Sequence, residues 1–112
     1  MACEVLLRHV LAVKGAVRAV IAATITAPAT ARSRPGLRFG LIDAALDPVA
    51  RPGAHMDRLK NDLAAVVSAE ALFTLTDLRG LDPEDAIASL VRIARTVTTA
   101  AISAAAAAGR CP

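Results

Sequence analysis

Apolar positions recur at three- and four-residue spacing through most of the chain, which is the signature of amphipathic helices rather than strands. From residue 3 to about 26, Leu6, Val10, Val13, Val17, Val20, Ile21 and Thr24 fall on one side. Glu4, Arg8, Lys14, Gly15 and Arg18 lie opposite, and Glu4 and Arg8 form a favourable pair one turn apart. Pro28 stops this helix, and the stretch to Gly36 reads as a loop. A short helix follows from about Leu37 to Leu46, with Phe39, Ile42 and Leu46 as its stripe, and Asp47-Pro48 ends it. A third helix is expected from Ala54 or His55 to Leu78, carrying Met56, Leu59, Leu63, Val66, Val67, Phe73 and Leu78. The last runs from Pro83 to about Ala107, with Ile87, Leu90, Val91, Ala94, Val97, Ala101 and Ile102 on its apolar side.

The punctuation between the last two helices is dense. Gly80 suits the left-handed position just past a helix end, and Leu81 can fold back as the accompanying apolar contact. Asp82 is a good N-cap, Pro83 fits the first helical position, and Glu84 and Asp85 place negative charge at the positive end of the dipole. Two helices joined this tightly are expected to run antiparallel, as a helical hairpin. Folding at Gly80 and Leu81 brings Phe73 near Ala88 and Glu70 near Arg92. Glu70 then either pairs with Arg92 or stays solvated at the rim.

Composition narrows the class. The 112 residues suit one all-α domain, residues 1–112. Apolar residues make up 55% but aromatic ones only 2%, and 27 positions are alanine. The core must therefore be built from small, closely approaching side chains. Cys3 and Cys111 stand at opposite ends with no partner spacing for a metal, and a reducing, cytoplasmic setting is expected. No signal peptide is visible, and the longest uncharged runs, 19–31 and 96–109, are short for a bilayer span, so no membrane partner is expected.

The charge of +3 is concentrated in the first half, where Arg32, Arg34 and Arg38 cluster. Without interleaved aromatics or a helix-turn-helix, that cluster reads as a solvated loop rather than a nucleic-acid surface. No phosphate loop, GxSxG or metal-ligand spacing is present, so neither catalysis nor a cofactor is expected. His55 reads as an exposed end residue. His9, among Val5, Leu6, Ala12 and Val13, reads either as a core histidine or as a polar group lining a cavity. The alanine-rich last helix lets another helix approach closely. Its Leu90, Ala94, Val97 and Ala101, with Phe73 of the preceding helix, are the expected face for a helix of another chain, the alternative being that this helix is buried centrally within its own.

Three segments carry a resemblance: Arg58-Leu59-Lys60-Asn61-Asp62-Leu63, Ser68 to Leu78, and Gly80-Leu81-Asp82-Pro83-Glu84-Asp85-Ala86. With Arg34-Pro35-Gly36-Leu37-Arg38 upstream, they resemble the C-terminal half of TetR-type transcriptional regulators over about residues 35–100. The resemblance implies a helical effector-binding and dimerisation domain, with the last two long helices pairing in a homodimeric four-helix bundle. It also implies a cavity among the middle helices for a small apolar effector, near His9, Phe39, Ile42, Leu46 and Leu63. Such regulators begin with a three-helix DNA-binding unit, for which nothing before His9 suffices. DNA contact is therefore expected only where a longer protein or a partner supplies that unit. The competing reading is a stand-alone helical protein–protein interaction module of unrelated origin.

Overall fold

The computed structural model describes residues 2–27, 29, 37–46 and 53–110, with the side chains of all of these except 2, 37–39, 54 and 108–110. Among the described residues there are helices and no strands. They are α1 (Ala2–Ala12), α2 (Lys14–Thr26), α3 (Leu37–Leu46), α4 (Ala54–Val66), α5 (Ala69–Phe73) and α6 (Pro83–Arg110), with a π-helical turn, Thr74–Leu78, between α5 and the last corner. The all-α expectation holds, and α3 has the bounds its apolar stripe suggested.

Two elements expected to be continuous are interrupted. The first helix kinks at Val13 (φ −117°, ψ 28°) while the backbone bonds Val13 N–H to His9 C=O and Val17 N–H to Val13 C=O carry on across it. The kink re-aims the buried side. Leu7 is fully buried, whereas Val13 and Val20, expected inside, are exposed.

The third helix breaks at Val67 and Ser68. Ser68 is extended, its Oγ accepts from the Ala71 N–H (3.1 Å), and the same hydroxyl donates to the Ala65 carbonyl (2.8 Å). One serine thus closes one helix and caps the next. The redirected segment turns Val67, Ala69, Leu72 and Phe73 inward together.

The hairpin corner is built as its sequence indicates. Gly80 takes φ 72°, Asp82 Oδ2 accepts from the Glu84 N–H (3.1 Å), and Pro83 opens α6. One detail differs. Arg79 N–H bonds back five residues to Thr74, and Leu81 N–H bonds back six to Leu75 (2.9 Å), one residue further than the usual helix-end closure. The π turn has absorbed an extra residue. Thr74 and Thr76 are β-branched and hold an α-turn weakly, and the Thr74 hydroxyl donates to the Glu70 carbonyl.

Arg18 on α2 grips this turn from outside. Its Nη2 donates to both Asp77 carboxylate oxygens (2.8 and 3.0 Å), and its guanidinium lies 4.6 Å from the centroid of the Phe73 ring.

Helix α6 is the spine of the bundle. Its Ala86, Ile87 and Leu90 pack with Leu7 and Leu72 in one buried cluster. Ala94 joins Ile42, Leu46, Leu59, Leu63 and Val67 in a second. Helix α1 serves both, sending Leu7, Val10 and Leu11 to the first and Cys3 and Leu6 to the second. At 28 residues α6 is about 42 Å long and outlasts the helices around it. The radius of gyration is accordingly 15.5 Å, against about 13 Å for a compact chain of this length.

Pro83–Ala107 is long and apolar enough, by length and composition, to cross a membrane, and 28% of its most apolar stretch is buried inside the chain. Counting uncharged runs alone had not singled it out.

Two glycines should respond oppositely to alanine. Gly80→Ala puts a Cβ on a left-handed residue and is expected to cost about 1 kcal/mol. Gly15→Ala sits inside α2 with nothing within 4 Å of the added carbon and should stabilise by about 0.5–1 kcal/mol. Urea unfolding of both variants checks the signs. Arg18→Met should lower stability by about 1 kcal/mol or less, since the pair is half exposed. Its specific mark is faster amide exchange at Arg79 and Leu81, with α4 unaffected.

Candidate functional site

The concavity that collects expected site residues lies between α3, α4 and α6, closed at one edge by α1. Ile42 and Leu46 reach it from α3, Leu63 from α4 and Val67 from the break that follows. They converge because each sits at helical spacing on the buried side of its own element, and α6 offers only Ala94 and Thr98 opposite them. A small residue there leaves room that a leucine would fill. Leu41, Ala45 and Cys3 complete the wall of an apolar cleft of about 210 Å³. Lys60 Nζ and Asp43 Oδ1, 3.0 Å apart, tie α3 to α4 beside it.

Of the five residues expected near a pocket, Ile42, Leu46 and Leu63 therefore line one cleft. The Phe39 side chain lies outside the described residues. His9 is exposed on α1 and is not part of the cleft lining. Neither sequence reading of it is supported: Leu7 of α1 faces the core, and the next two positions, Arg8 and His9, face outward. His55 is exposed, as expected. Cys3, which sequence reasoning had set aside, is a free, half-buried thiol in the cleft wall. Its three-residue spacing to Leu6, which packs in the same cluster, was the available signal.

The residues expected to meet a second copy of the chain divide. Phe73, Leu90 and Ala94 are buried within this chain, so they offer no surface to a partner. Val97 and Ala101 are half-buried against the second cluster. The large exposed apolar side chains of α6 are Ile93 and Ile102, and α2 shows Val20 and Ile25. At the hairpin, Glu70 is half-buried and Arg92 donates to Ser89 Oγ (3.3 Å) on its own helix.

A second, wider groove of about 500 Å³ runs between α1 and α6 over Ile87 and Val91. Its walls carry Glu4, Arg8, Glu84, Arg92 and Arg95. Arg8 pairs with Glu4 one turn earlier (2.9 Å), as its spacing foretold, and also makes two bonds to Glu84 in the first turn of α6 (2.7 and 2.9 Å). Arg8 is thus engaged by Glu4 and Glu84, and Arg18 by Asp77, while the side chains of Arg32, Arg34 and Arg38 lie outside the described residues. Among the described residues no group of three or more His, Cys, Asp or Glu could hold a metal ion.

Hydrogen bonding to Arg8 holds the Glu84 carboxyl below the usual glutamate range, and the same bonds make Arg8 a still weaker acid. A carboxyl whose folded pKa is depressed stabilises the fold fully above its unfolded value and loses that contribution as pH falls through the folded one. Stability should therefore drop on acidification below about pH 4.5. In Glu84→Gln that part of the drop should be absent, and urea midpoints at about pH 6 and pH 3 would measure it.

No family model, curated protein or solved structure matches the chain.

Proposed function

We propose that this chain is a helical effector-binding and dimerisation domain of the kind found in TetR-type regulators. The observation that carries the reading is the apolar cleft formed by Ile42, Leu46 and Leu63, residues that the resemblance puts near an effector. The Gly80–Asp82–Pro83 corner, with its tight hairpin, supports the same reading. In this reading the domain works in the cytoplasm without catalysing a reaction, and DNA is reached only through a DNA-binding unit on another segment or partner.

Dimerisation in this reading uses the outer part of α6, where Ile93 and Ile102 are exposed and Val97 and Ala101 are half covered. A second reading, an interaction module for a different protein, draws on the exposed Val20 and Ile25 of α2.

The cleft is tested by thermal melting against a set of small fragments. A ligand at ten times its Kd adds about 1.4 kcal/mol and raises the midpoint by several degrees. Ala45→Phe, which fills the cleft from an exposed position, should abolish the rise. If no fragment stabilises the wild-type chain, the effector-binding reading fails.

Light scattering over a range of concentrations tests the partner. A two-chain mass that Ala101→Arg or Ile102→Arg reduces to one chain supports the regulator domain. A single-chain mass throughout favours the interaction module.

A further inference from the structure

The cleft also restricts what can enter it, and the inference that follows rests on the ligand-binding reading above. Leu41, Ile42, Leu46 and Leu63 present hydrocarbon to its interior. The Thr98 hydroxyl is already committed, donating to the Ala94 carbonyl at 2.7 Å. Cys3 adds a thiol, which is a weak donor and a weak acceptor. Among the described residues no charged side chain lines the cleft. A carboxylate or ammonium group entering it would give up its hydration with no opposite charge to replace it. A neutral hydrocarbon meets no such cost and releases water from both surfaces.

Size sets the second limit. A dry engineered cavity of about 150 Å³ lined by Leu, Ile and Phe takes up benzene. At about 210 Å³ this cleft holds one ring with a small substituent, and the described residues offer no further wall for an extended acyl chain.

We infer that the cleft is a site for small, uncharged apolar molecules of single-ring size, and that it rejects the ionised counterparts of the same shape.

The test uses the whole chain with Cys111→Ser, which leaves Cys3 as the sole thiol. The rate of Cys3 alkylation by iodoacetamide is followed with added toluene or with benzoate, which share a ring and a carbon count. Near-saturating toluene is expected to slow alkylation about tenfold or more, and benzoate at the same concentration to change it less than about twofold. Ala45→Phe should slow alkylation with no ligand present, its retained fold checked by circular dichroism. Equal protection by benzoate, or none by toluene, overturns the inference while leaving a cleft that something else could occupy. A folded Ala45→Phe variant that alkylates at the wild-type rate removes the cleft itself, and the reading above with it.

Discussion

Everything in this bundle depends on how closely its neighbours can approach α6. With only Phe39 and Phe73 as aromatics, no large side chain is available to span wide gaps between helices. The chain compensates with proximity. Ala86 and Ala94 put almost no side chain between α6 and its neighbours, and Leu7, Leu59, Leu72 and Ile87 are fully buried among them. Burial of this kind stabilises by roughly 1.5–3 kcal/mol for each fully covered large aliphatic side chain, which makes these four the main anchors. Helix α1 has to reach two clusters because neither is closed without it. The same use of alanine leaves the cleft beside Ala94, so close packing at one level of α6 and the opening at the next have a common origin.

What could be read from sequence was local. Gly80, Asp82 and Pro83 announce the corner because turn and cap chemistry acts within a few residues. Glu4 and Arg8 announce their pair because helical spacing alone decides it. Ile42, Leu46 and Leu63 lie on stripes whose period identifies the buried side, and all three are buried, whereas Val13, Val20 and Leu78 on the same kind of stripe are exposed. The third helix was misread because its apolar period runs through Val67 without a pause. Only Ser68, followed by Glu70 in the first turn of α5, carries a cap pattern, and a serine inside a helix is too common to force a break.

Long-range features were not legible at all. Arg18 meets Asp77 and Phe73 across more than fifty positions of chain, and Arg8 meets Glu84 across more than seventy. Periodicity assigned both arginines to solvent, which is half true, since each is half exposed while its head group ties down a distant turn. The π turn escaped for a related reason. No residue type specifies it, and it exists where the weak α-turn at Thr74–Leu78 meets a corner fixed on one side by Gly80 and a guanidinium on the other. The interface residues failed differently: Phe73, Leu90 and Ala94 were correctly identified as needing cover, but the chain itself supplies it.

The complete burial of Leu7 has a consequence for biosynthesis. The side chains that cover it, Leu72, Ala86, Ile87 and Leu90, belong to the second half of the chain. At about 5–20 residues per second, a ribosome finishes Leu90 roughly 4–17 s after Leu7. Over that interval Leu7 lacks the side chains that cover it, whereas Ile42 and Leu46, against which Cys3 and Leu6 pack, are already in place in the chain. At only 11 residues, α1 is too short to persist as an isolated helix. Leu7 can therefore be fully covered only once α6 has been made.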